Sequence, residues 1–201
     1  MKEAKFDALL VHVYSHPLKE NPRPDIRGHL QVSAASHLYK EGRVSKLFIA
    51  GGHVFGEQRP ALAHIMIPEL IRKGVKSEDI IVVPVAIETS EEIEAFREEA
   101  EKQGWDKLAS LANRAHLRRI RLIHQKANIQ NIKRINAEDV LSKISKHYRT
   151  FINKFRNSPR EMLFLVREAI VILPYYFGLR DQMAQLAKDS RIQRVKNILD
   201  R

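Results

Sequence analysis

The chain has no cysteine, which excludes disulfides, thiolate zinc sites, iron–sulfur clusters and a cysteine nucleophile. It carries no GxGxxG fingerprint, no GK[ST] phosphate loop, no GxSxG elbow and no HExxH pair. Dehydrogenase, ATPase, serine-hydrolase and zincin readings therefore have no motif to rest on. Ser15 and Ser110 show no local signature of a hydrolase nucleophile. Glycine and proline number 8 each, too few for a fibrous or low-complexity chain. Long hydrophobic runs are also missing. The most apolar stretch, Met162 to Leu179, holds Arg167, Glu168 and Pro174, which a lipid-facing helix tolerates poorly, so it reads as a buried core helix and no membrane span is expected. Met1 to Lys5 leads directly into a strand-like run without a charged leader and apolar core, so no secretory signal is read and a cytoplasmic protein is the expectation.

What remains is 201 residues, 44% hydrophobic and 29% charged, enough for one domain with an appendage and a core that needs no staples. The net charge of +11 is unevenly placed. Residues 1–101 carry 13 basic and 16 acidic side chains, residues 102–160 carry 15 and 3, and residues 161–201 carry 7 and 5. The middle segment attracts phosphates, whether of small molecules, nucleic acid or lipid.

Asp7 to Tyr14 is a short β-branched apolar run, read as a strand buried on both faces. A helix over Asp25 to Glu41, stopped by Gly42, follows a proline-rich loop. Lys46 to Ala50 reads as a second strand closed by Gly51-Gly52, and a helix from Pro60 to Lys73 contains Pro68 and ends at Gly74. Asp79 to Pro84 is a third strand. Thr89-Ser-Glu-Glu92 has the spacing of a capping box, opening a helix to about Gln103 and Gly104. Lys107 to Asn113 suits helix or strand, and the three preceding strand–helix units favour a strand. A basic helix over His116 to His124, a strand over Ile129 to Ile135 and a helix from Asn136 towards Asn157 come next. Ser158-Pro159 opens a long helix that Pro174 and Gly178 are expected to break before a last amphipathic segment. The predicted fold class is α/β: a mainly parallel sheet with helices on both faces, residues 1–135, and a helical C-terminal extension, 136–201, packed on the same domain.

In such sheets ligands bind beyond the carboxyl ends of the strands, near the switch point of strand order. That rule selects the loops Tyr14–Pro24, Gly51–Arg59, Val85–Thr89 and Ala112–His116. Gly51 and Gly52 allow close backbone approach and offer N–H groups to an anion. The helix start at Thr89 and Glu92 faces the same crevice with its positive dipole end. His116 and Arg119, three apart, share a helix face within a run holding Arg114 and Arg118, and arginine forks match phosphate or carboxylate. Ser15, His16, Arg27 and Glu57 complete the candidate ligand-binding set. His116 is the candidate acid or base, because an unperturbed imidazole titrates near neutrality. His12 and His16 could approach a metal with Glu57 or His53, but no zincin pattern supports one, and no metal is assigned.

Together these residues resemble the SanA/YdcF-like family (also called ElyC/SanA/YdcF) of bacterial Rossmann-like proteins. The resemblance lies in Asp7 at the first strand, Arg27 in the first helix, Ala50-Gly51-Gly52, Ala63 with Met66, Gly74-Val75, Thr89-Ser90-Glu91, and His116 with Arg119. Arg167-Glu168-Ala169 with Tyr175-Tyr176 and Gly178 looks like the family's closing helix. The chain departs from that pattern at Tyr14 to Pro17 (a glycine-rich loop in the family), at Ala50 (serine), Leu62 (acidic), Glu92 (asparagine) and Ala112-Asn113 (threonine and serine). The resemblance implies a Rossmann-like three-layer sandwich. It implies no settled reaction; some members look like S-adenosylmethionine binders, which makes that molecule the candidate cofactor, and others are membrane-anchored. The expected function is binding of a small anionic or nucleotide-type ligand in the crevice. A second expectation is a nucleic-acid surface on residues 114–160. Either is compatible with a dimer or partner interface on the C-terminal helices.

Overall fold

The computed structural model describes residues 5–12, 24–53, 60–83 and 88–177. The chain divides into two compact units, Met1–Phe155 and Arg156–Arg201. The first unit includes α5 (Ala137–Ile144) and most of α6 (Lys146–Arg156), which add Leu141, Ile152 and Phe155 to its core.

Five strands make the first unit's sheet: β1 (Phe6–His12), β2 (Val44–Ala50), β3 (Ile80–Val83), β4 (Leu108–Ala112) and β5 (Ile132–Asn136). Their order is β3-β2-β1-β4-β5 and every pairing is parallel, so the expected α/β fold with a parallel sheet is observed. Parallel strands must be covered on both faces, and this dictates their composition. In β1 every residue but Asp7 is buried. Asp7 instead ties two strand starts together, its carboxylate accepting from the N–H groups of Asp106 (3.1 Å) and Lys107 (2.9 Å).

Side-chain alternation then divides the core. Leu9, Val11, Leu47, Ile49, Ala109 and Leu111 form one cluster with residues of α1 (Ile26–Lys40), α2 (Leu62–Arg72), α5 and α6. The alternate residues Leu10, Phe48 and His12 point to the other face, where α3 (Thr89–Gln103) and α4 (Arg114–Lys126) lie. There the rings of Phe48 and Phe96 are 5.2 Å apart. Two helix layers around one parallel sheet make a Rossmann-like three-layer sandwich.

Local chemistry sets the element ends. Asp25 caps α1 by accepting from the N–H groups of Arg27 (3.0 Å) and Gly28 (2.9 Å). Gly104 ends α3 at φ 66°, where a Cβ would be strained. Asn136 caps α5 as expected, accepting from Glu138 N–H at 3.0 Å. The single helix read from 136 to 157 is two, because Ser145 is extended at φ −155°, ψ 155° and interrupts it.

The second unit contributes α7 (Pro159–Tyr176), opened by Ser158, whose Oγ accepts from Glu161 N–H at 3.3 Å. Two expectations fail here. The helix runs past Pro174 to Tyr176, since a proline in the last turn forfeits one bond without unseating the helix, while Gly178 and the last amphipathic segment lie outside the described residues. Nor is the apolar stretch uniformly buried: Glu161, Phe164, Glu168 and Ile172 are covered, whereas Leu163, Val166, Ile170 and Leu173 are each more than half exposed. No described helix is long and apolar enough to cross a membrane.

Candidate functional site

From β1 the chain winds outward through β2 and β3, then returns to place β4 on β1's other side. The switch point therefore lies between the carboxyl ends of β1 and β4, where sheets of this kind take their ligands. His12 is the last residue of β1 and Asn113 directly follows β4. Both are buried, to 0% and 1% exposure.

Two helices deliver polar side chains to this point. His12 Nδ1 lies 2.6 Å from Glu92 Oε2 in the first turns of α3. A carboxylate only accepts, so the His12 proton sits on Nδ1 and Nε2 faces away from Glu92. His116, in the first turn of α4, has its ring 5.4 Å from that of His12. Its Nε2 is 3.1 Å from Thr89 Oγ1 and 2.9 Å from Arg119 Nη2. A guanidinium only donates, so Nε2 is the acceptor and the remaining proton is on Nδ1. Burial first, then the positive charge of Arg119 and the proximity of His12, hold the His116 pKa well below the ordinary imidazole value. His116 is consequently neutral at physiological pH.

Three groups in the cluster have no partner among the described residues: His12 Nε2, His116 Nδ1 and both side-chain atoms of Asn113. Ser110 Oγ on β4 is a fourth. Buried polar atoms in native proteins are almost always bonded to something. Among the described residues, five unpartnered atoms lie on residues of β1, β4 and the start of α4, and others lie elsewhere, as on Gln31 and Ser36 of α1.

The capping box read at Thr89 is shifted by one residue. Glu88 is the N-cap of α3, and Glu91 reaches back to accept its N–H at 3.0 Å. That frame frees Thr89 for His116 and Glu92 for His12. Thr89, His116 and Arg119 are thus joined by hydrogen bonds, and Glu92 is bonded to His12, whose ring lies 5.4 Å from that of His116.

The remaining candidates lie apart or are engaged elsewhere. Arg27 is only 4% exposed, 3.7 Å from Asp25 and with its guanidinium 5.6 Å from the centre of the Phe155 ring. Gly51 does not offer its N–H to a ligand, because that group donates to Val83 carbonyl at 3.1 Å. The carbonyls of Gly51 and Gly52 accept from Ala63 and Leu62, both at 3.1 Å, satisfying the start of α2. The Gly-Gly turn therefore joins strand to helix, and the anion cradle expected of Gly51 is not made. Ser15, His16 and Glu57 lie outside the described residues. Among the described residues no group of three ligating side chains is placed to hold a metal ion.

Sequence reasoning considered His12 only as a metal ligand and Asn113 only as a departure from the family pattern, and placed neither in the ligand-binding set. Both have a sequence signal: a polar residue that ends or follows an otherwise apolar parallel strand sits, by geometry, at the crevice. Glu138 was also missed; buried on α5, its carboxylate accepts from Arg114 N–H at 2.9 Å and caps the start of α4.

No family model, no curated protein and no solved structure matches this chain.

Proposed function

We propose that the protein is a cytoplasmic, Rossmann-like binder of a small anionic or nucleotide-type ligand, of the SanA/YdcF type, with S-adenosylmethionine among the ligands to test first. The observation that carries this reading is the buried cluster of His12, Glu92, Thr89, His116 and Arg119 at the switch point, with unpartnered atoms on His12, His116 and Asn113. Arg119 supplies positive charge to the ligand's anionic end. His116 gives a hydrogen bond from Nδ1–H, and Asn113 gives and accepts one each. Proton acceptance is assigned to His12 Nε2 in place of His116, since Glu92 orients the His12 ring as carboxylates orient catalytic histidines.

A thermal-shift screen with S-adenosylmethionine, nucleotides and sugar phosphates tests the reading. A ligand at a hundred times its Kd stabilises by about 2.7 kcal/mol, or roughly 5–10 °C for a chain of this size. His116→Ala and Arg119→Ala weaken that ligand's binding without unfolding the protein. Unchanged affinity in both variants, measured by calorimetry, refutes the site.

A further inference from the structure

The crevice absorbs Arg119 and leaves most of the positive charge unexplained. Residues 114–137 contain seven lysines and arginines and no carboxylate. The structure sorts these residues by face. Ala115, His116, Ile120, Leu122, Ile123 and His124 are the buried side of α4. Arg114, Arg118, Arg121 and Gln125 are exposed. At 100° per residue these four fall within a narrow arc, and Arg114 to Arg121 spans about 10 Å along the helix. Among the described residues, Arg114, Arg118 and Arg121 form no ion pair with a carboxylate.

The ridge runs on into a cleft of about 690 Å³ between the end of α4 and the sheet-edge strand β5. Gln125, Asn128, Gln130, Asn131, Lys133 and Arg134 line it. At its base, buried His124 receives a long contact from Arg134 Nη1 at 3.5 Å. Four amides beside two cations form an unusual lining. Amides present paired donors and acceptors of the kind that read base edges, and arginine forks fit phosphate oxygens.

We infer that the outer face of α4 and the adjoining cleft bind a single strand of nucleic acid, with backbone phosphates along Arg114, Arg118 and Arg121 and a base in the amide-lined cleft. This surface is separate from the switch-point site and does not depend on it. An anionic membrane fits less well. Interfacial helices bury an apolar face in lipid, and the apolar face of α4 is spent on the protein core.

Binding is measured by fluorescence anisotropy with labelled oligouridine and oligothymidine of about 20 nucleotides, longer than the site of a single small domain. Affinity falls steeply between about 50 and 200 mM salt, as counterion release requires. Replacing all three arginines (Arg114→Gln, Arg118→Gln, Arg121→Gln) weakens binding at least about tenfold and lowers the slope of log K against log salt by about 2, three phosphate contacts at about 0.7 each. Glutamine keeps the helix propensity, and the bond from Arg114 N–H to Glu138 is untouched, so an unchanged melting curve accompanies the loss. Gln125→Ala with Asn131→Ala weakens binding about two- to tenfold with the slope unchanged. No binding at about 50 mM salt, or an unaltered salt slope in the triple variant, overturns the inference. So does tighter binding to phosphatidylglycerol vesicles than to either oligomer. Unchanged affinity in the amide variant overturns the placement of a base in the cleft.

Discussion

His12 and His116 illustrate how neighbours divide roles between two identical side chains. Glu92 meets His12 with a carboxylate, whereas Arg119 meets His116 with a cation. The first arrangement holds a proton on Nδ1 and the second keeps a lone pair on Nε2 occupied. Glu92→Ala leaves His12 Nδ1 buried without its acceptor and is expected to cost roughly 1–3 kcal/mol, read as a lower midpoint in urea unfolding. His124 is a second depressed histidine, lowered to about 4, chiefly by burial and then by Arg134. A histidine held neutral in the folded state binds its proton only after unfolding. Its contribution to stability is therefore complete above the unfolded value near 6.5 and declines as pH falls towards about 4. His124→Gln should flatten unfolding free energy against pH over that window by up to about 1.4 kcal/mol per pH unit. Urea titrations at a series of pH values measure the slope.

Among the elements, α1 and α3 are placed by their ends. Asp25 satisfies two of the free N–H groups of α1. Asp25→Ala should cost about 0.5–2 kcal/mol by the same urea measurement, the ordinary loss of an N-cap. In α3 the one-residue difference between the expected and observed cap has a functional consequence. With Glu88 at the N-cap, Thr89 meets His116 and Glu92 meets His12; with Thr89 there, their side chains would be committed to the helix start. The spacing S/T-x-x-E marked the right helix and the right turn, but Glu88 and Glu91 offer the same spacing one residue earlier. Only packing against His12 and His116 chooses between the two frames.

In the whole molecule, charge and burial are segregated. Residues 1–101 carry 16 acidic side chains to 13 basic, the surplus lying on α3, whereas residues 102–160 carry 15 basic to 3 acidic. The first unit has its own sheet and core, closed by Ile152 and Phe155. A chain ending at Phe155 should therefore keep a cooperative thermal transition and the circular-dichroism signature of an α/β protein. A gradual, non-cooperative melt would show that the core depends on the second unit.

The order of the five strands and of the helices between them, their approximate limits and the α/β class were determined by the sequence alone, but the division of α5 from α6 was not. Those features depend on local periodicity, on caps such as Asn136 and Ser158, and on left-handed glycines such as Gly42 and Gly104. Four of the residues named from the sequence, Thr89, Glu92, His116 and Arg119, do form one cluster. Tertiary structure alone decided that His12 joins them, that Gly51 is bound to Val83, and that α4 turns one basic face outward while its other side closes the core. Each of these depends on residues far apart in sequence, as with the 80 positions between His12 and Glu92. No local pattern encodes a contact at that separation; the parallel strand order creates it.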